Sequence, residues 1–152
     1  MDFFILNTAF GGYFGSRLMS NLREDKGYTY GVGSYISELH KSGTFVISTQ
    51  VGSEYLDDSI NQIRIELEKL CSDLISYDEL DLVKNYLLGQ LLKSADGAYA
   101  MMNLHLSLQK HDLSFEFYKN YVDRISSVTP KELKDSAKQH LVWEDMTVVC
   151  SG

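Results

Sequence analysis

Cysteine is scarce in this chain of 152 residues: the two present, Cys71 and Cys150, are too few for a disulfide framework or a thiolate metal site and read as buried free thiols. Histidine is sparse too. None of the four (His40, His105, His111, His140) has a second histidine three or four positions away, and neither H-E-x-x-H nor H-x-x-E-H occurs, so no zinc-hydrolase ligand set is written here. His105 and His111 are six apart, which puts them on different sides of a helix. Basic charge is in deficit, with Lys+Arg 14 against Asp+Glu 21 and a net charge of −7, and the four arginines form no block, which argues against nucleic acid as the partner. No apolar run reaches the ~18–20 residues that cross a bilayer. The opening Met-Asp-Phe-Phe-Ile-Leu-Asn has neither a basic region nor a small-residue cleavage site, so no secretory signal or membrane partner is expected and a cytoplasmic location is favoured. G-x-S-x-G is missing, and Phe10-Gly-Gly-Tyr-Phe-Gly15 lacks the Gly-Lys-Ser/Thr ending of a phosphate loop.

What remains is an ordinary globular composition, 44% apolar and 23% charged, at a length that suits one domain spanning residues 1–152. Phe3, Leu6, Phe10, Phe14, Leu18 and Leu22 recur at spacings of three and four, which predicts a helix over 2–24 interrupted at Gly11, Gly12 and Gly15 and stopped by Gly27. Tyr28–Leu39 and Thr44–Val51 are rich in β-branched and aromatic residues and predict an antiparallel hairpin through His40-Lys41-Ser42-Gly43, with Phe45, Ile47, Thr49 and Val51 on one face. Leu56, Ile60, Ile63, Leu67, Leu70 and Leu74 return to helical spacing. Ser76 with Glu79 predicts a capping box, followed by a helix that breaks near Gly97 and resumes to about His111. A short helix is expected over 115–125, and Thr129-Pro130-Lys131-Glu132 starts a last one. Met146–Cys150 is apolar and β-branched, and predicts a strand returning to the sheet interior. The order implies an α+β two-layer sandwich, an antiparallel or mixed sheet with helices on one face.

One constellation stands out chemically. In Leu22-Arg23-Glu24-Asp25-Lys26-Gly27-Tyr28-Thr29-Tyr30-Gly31 an arginine at a helix end, a glycine turn and a tyrosine at the start of a strand can present a permanent cation and a phenol together. Both donate hydrogen bonds and suit a peptide carbonyl or a developing oxyanion. The structural alternative is surface ion pairing for Arg23 and sheet packing for Tyr30. Asp57, Asp58, Asp78, Glu79 and Asp81 sit near helix N-termini, where complementarity to the helix dipole accounts for them.

The run Leu6-Asn7-Thr8-Ala9-Phe10-Gly11-Gly12-Tyr13-Phe14-Gly15-Ser16-Arg17-Leu18, followed by Leu22 through Tyr30, resembles the signature of the insulinase/pitrilysin/mitochondrial processing peptidase family, specifically its non-zinc half. The Gly-Thr-Phe strand, the Ser-Tyr-Asp-Glu-Leu and Val-Thr-Pro-Lys-Glu-Leu helix starts and the closing Val-Val follow in the same order. The resemblance implies a metallohydrolase-like domain of a longer zinc metalloendopeptidase, lacking its first strand or strands. It implies no cofactor in this chain and zinc on a partner half, in the same chain or a separate subunit. The substrate would be a polypeptide over which this domain closes, with Arg23 and Tyr30 supplied to the active centre. Tyr28 fits the pattern less well, and Arg17 matches a structural position. Without H-x-x-E-H the chain alone is not expected to hydrolyse peptides. An inactive scaffold subunit on the same fold is the alternative. The exposed sheet edge offers a route to a homodimer.

Overall fold

A computed structural model describes residues 1–39 and 42–152. The chain opens with α1 (Asp2–Asn7), which widens directly into a π-helical segment, Thr8–Gly12. The helix stops there. Gly11 explains why this stretch must be small: a Cβ on it would lie 2.5 Å from Ser34 Oγ and 2.8 Å from the Ser34 backbone nitrogen. Helix and strand therefore meet backbone to backbone. A buried polar contact fixes that meeting, with Ser34 Oγ donating to Asn7 Oδ1 at 2.6 Å and Asn7 Nδ2 donating to the Ser34 carbonyl at 3.3 Å.

Beyond the break a second π-helical segment, Met19–Asp25, leads to Gly27, whose φ of +68° lets the chain reverse while the Tyr28 N–H donates to the Leu22 carbonyl at 2.9 Å. Phe10, Leu18 and Leu22 are fully buried as the apolar spacing predicts, but Phe14 is not. It falls in the non-helical turn between the two segments, where the 3.6-residue period no longer applies.

The strands β1 (Val32–Leu39) and β2 (Ser42–Thr49) pair antiparallel, with Val32 opposite Thr49 and Ser34 opposite Ile47. His40 and Lys41 of the expected hairpin link lie outside the described residues. Phe45 and Ile47 face the core, and Phe45 meets Phe3 edge-on at 5.4 Å. Val51 lies past the strand end. At the other end β1 starts four residues later than predicted, because Thr29 Oγ1 accepts the Gly31 N–H at 3.1 Å and turns the chain before the ladder begins.

Five α-helices follow among the described residues: α2 (Leu56–Ser72), α3 (Tyr77–Ser94), α4 (Ala98–Lys110), α5 (Glu116–Ser127) and α6 (Pro130–His140). α2 stops at Ser72, so Leu74 is exposed rather than on the buried face with Leu67 and Leu70. α3 and α4 are divided at Gly97, whose φ is +90°. α6 carries the complete capping box of Thr129 and Glu132 with Pro130 in its first turn. At α3 only half of the box forms. Ser76 Oγ accepts the Glu79 N–H, while the Glu79 carboxylate turns to Arg17 and takes two hydrogen bonds of 2.7 and 2.9 Å. Arg17 is thus the structural tie between the second π segment's approach and α3.

The core is continuous from Ile5 and Phe10 through Leu22 and Val83 to Ile125 and Leu133. Architecture is α+β, mostly helical, with a two-stranded antiparallel sheet among the described residues. The predicted closing strand does not form: 146–150 pairs with neither strand, and Val149 is 85% exposed. A strand needs a neighbour's backbone groups, and β-propensity does not provide one. Cys150, expected buried, is therefore exposed, and Cys71 is half-buried.

Candidate functional site

Arg23 and Tyr30 are carried by two segments joined at their bases. The Tyr28 N–H to Leu22 carbonyl bond closes the turn between them, and the Val32 N–H donates to Met19 Sδ at 3.4 Å, tying the π segment to the first residue of β1. Thr49 Oγ1 donates across the hairpin toward Thr29 Oγ1 and the Gly31 carbonyl, both at 3.1 Å. The turn that carries Tyr30 is therefore pinned on both sides. Tyr30 itself is 102% exposed and makes no side-chain hydrogen bond among the described residues. It does not pack in the sheet.

Arg23 makes neither hydrogen bond nor ion pair among the described residues; its guanidinium lies over the Phe14 ring, 4.6 Å from the centroid. The other arginines are committed. Arg17 binds Glu79, Arg64 binds Glu68 at 2.6 Å, and Arg124 binds Asp2 and Glu132. Arg23 thus differs from surface ion pairing in one chemical respect. The Phe14 ring lies against the guanidinium without accepting a conventional hydrogen bond, and no acceptor among the described residues takes an Arg23 N–H.

Tyr28 is committed in a way Tyr30 is not. Its phenol donates to Asp58 Oδ2 at 2.9 Å, and its ring stacks on Tyr55 with centroids 4.4 Å apart. The hydrogen bond to Asp58 raises the Tyr28 phenol above its ordinary pKa, and bonds from Gln62 and Tyr28 lower that of Asp58. Asp58 does more than complement a helix dipole, since it also holds Lys26 at 3.4 Å. Sequence spacing gave no sign of the Asp58–Tyr28–Tyr55 group or of the Phe14–Arg23 stack. The contacting pairs, Phe14 with Arg23 and Tyr28 with Tyr55 and Asp58, are 9 to 30 residues apart and belong to different local elements.

Two surface grooves among the described residues are lined by neither Arg23 nor Tyr30. One, of about 350 Å³, lies among Cys71, Lys138 and Trp143. Burial raises the Cys71 thiol, and its sulfur donates to the Leu141 carbonyl at 3.6 Å, which makes it a poor nucleophile. The other, of about 480 Å³, runs beside β1 past Asn7, Tyr35, Tyr86 and Tyr121, where burial pushes the Tyr121 phenol up to about 12.

Among the described residues no group of three or more His, Cys, Asp or Glu side chains is disposed to hold a metal ion. His105 is stacked on Phe115, and His140 lies against Phe3, so both rings have packing roles. The donor set does not fit zinc. No helix is long and apolar enough to cross a membrane among the described residues.

Residues 1–87 match the family model of the peptidase M16 inactive domain. The chain belongs to that family. The Bacillus subtilis protein YmxG, named an uncharacterized zinc protease, is 31% identical over 148 residues, covering 95% of this chain and 35% of that protein. A Streptomyces coelicolor protein of the same description is 29% identical over 140 residues, 90% of this chain and 30% of its own length. The crystal structure of a peptidase M16 inactive domain from Pseudomonas fluorescens superposes with a TM-score of 0.79 at 26% identity, covering 91% of this chain and 33% of that one. The chain spans about a third of the length of these relatives. The resemblance read from the glycine and arginine motifs to the non-zinc half of a zinc metallopeptidase family holds.

Proposed function

We propose that this chain is a single α+β domain, residues 1–152, of a zinc metalloendopeptidase, and that it closes over a polypeptide held by a zinc-bearing half in the same or a separate chain. Arg23 and Tyr30 are the donors it brings to that closure. A guanidinium that stays charged at any working pH and a phenol O–H can hold a peptide carbonyl in place. They bind more strongly as charge gathers on its oxygen. The observation that carries this reading is the uncommitted pair: among the described residues neither Arg23 nor Tyr30 gives a side-chain hydrogen bond, on segments that are otherwise pinned. Such freedom is what a donor to an external carbonyl requires. The names of the relatives as zinc proteases support the substrate class and the metal on the partner half.

The test combines this domain with its zinc-bearing half and follows peptide hydrolysis. Arg23→Ala and Tyr30→Phe are expected to lower kcat/KM by roughly 10²-fold or more, as other oxyanion donors do. Unchanged turnover by folded variants would show that the domain serves the assembly as a scaffold instead.

A further inference from the structure

We propose that Phe14 is a positioning residue for Arg23, its ring serving as the platform that sets the plane of the guanidinium and keeps its donors free. This rests on the role given to Arg23 above. Phe14 is 63% exposed and sits in the turn between the two π segments, where its neighbours are committed elsewhere. Tyr13 packs on Tyr86 with ring centroids 4.9 Å apart, and a Cβ on Gly15 would lie 2.9 Å from the Tyr13 ring. Gly12 is held close to the Asn7 carbonyl, at 3.2 Å for a Cβ. Tyr13 thus anchors the turn inward, and Phe14 is left outward against Arg23.

The chemistry explains why a ring serves here. Glu24 and Asp25 follow Arg23 directly but, at i+1 and i+2 on a helical segment, do not share its face, and Arg23 meets the Phe14 ring instead. A carboxylate partner would occupy two of its N–H groups in a bidentate pair. A phenyl face attracts the cation through the ring quadrupole and asks for none of those hydrogens. The same contact costs Arg23 fewer rotamers when a peptide arrives, because the guanidinium plane is already set.

The experiment uses the domain combined with its zinc-bearing half and compares Phe14→Leu, which keeps apolar volume, with Phe14→Tyr, which keeps the π face. Phe14→Leu is expected to lower kcat/KM by roughly 2- to 5-fold, the factor that an exposed cation–π contact corresponds to, and Phe14→Tyr to restore it. In an Arg23→Ala background Phe14→Leu should have no further effect. A second readout needs no turnover: the Arg23 side-chain Nε–H resonance is expected upfield in the parent because of the ring, and should move downfield in Phe14→Leu and stay in Phe14→Tyr. An unshifted resonance, or equal kcat/KM for Phe14→Leu and parent while Arg23→Ala is impaired, overturns the positioning role and leaves that of Arg23 standing. A harmless Arg23→Ala overturns both.

Discussion

Gly11→Ala tests whether the first π segment and β1 are packed as tightly as the geometry states. The added methyl would sit 2.5 Å from Ser34 Oγ, 2.8 Å from the Ser34 nitrogen and 2.9 Å from Ser34 Cβ, all inside the distances that real Cβ atoms adopt. One of the three is strand backbone and cannot swing aside. The π segment must therefore withdraw from β1 by most of an ångström, and overpacking of this kind costs about 1–3 kcal/mol. Withdrawal also stretches the buried Asn7–Ser34 hydrogen bonds, at about 1–3 kcal/mol for polar groups left unpaired. A loss of about 2–6 kcal/mol is expected, against a total stability on the order of 5–15 kcal/mol. Urea unfolding followed by far-UV circular dichroism reads it as a lower midpoint at constant slope. Gly89→Ala is the control: that glycine is within α3 with nothing within 4 Å of a Cβ, so alanine should stabilise by about 0.5–1 kcal/mol. Adding Ser34→Gly to Gly11→Ala removes two of the three obstructing atoms, and the double variant should be less destabilised than the two singles combined. A Gly11→Ala cost below about 0.5 kcal/mol, no larger than an ordinary surface substitution, would refute the close approach.

Two further expectations concern the turn and the acid limb of stability. Gly27 has open space around it but a φ of +68°, so Gly27→Ala should cost about 1–2 kcal/mol through backbone strain alone, with Gly27→Asn milder; equal stability for all three in thermal melts would contradict the assigned conformation. Hydrogen bonds from the Thr129 hydroxyl and backbone N–H, and then from Arg124, hold Glu132 down at about 2, and Arg124 also lowers Asp2. Both folded-state values lie below the unfolded ones, so their contribution is complete above about pH 5 and is lost as pH falls through about 4.5 to 2. Melting temperature should therefore drop across that window, and Glu132→Gln should flatten the drop without altering the profile above it.

Besides the hairpin and the apolar core face, the side-chain contacts that could be read from the chain alone were those within about one turn. Thr129, Pro130 and Glu132 complete their cap because every partner is three residues away. Ser76 and Glu79 show the limit of the same rule, since the N–H half of the box forms and Arg17, 62 residues earlier, takes the carboxylate. The helical period located Phe10, Leu18 and Leu22 in the core but misplaced Phe14. A π-helical turn followed by a glycine break shifts the phase between them, and hydrophobicity alone does not encode that shift. Tyr30 follows the same logic: its composition suits a strand, and the Thr29 hydroxyl diverts the backbone before one can start.

The site depends on those same departures from local expectation. If the helix had continued through residue 14 on its original period, the Phe14 ring would lie with Phe10 in the core and no aromatic face would meet Arg23. Had β1 begun at Tyr28, Tyr30 would be held in a ladder. Instead, Tyr28 is held by Asp58 and Tyr55, the turn is held by Thr29 and Thr49, and the one tyrosine between them and the strand is left with its phenol in solvent. Neither arrangement contributes to the core. The exposed Phe14 ring and the exposed Tyr30 phenol are surfaces that folding alone does not require.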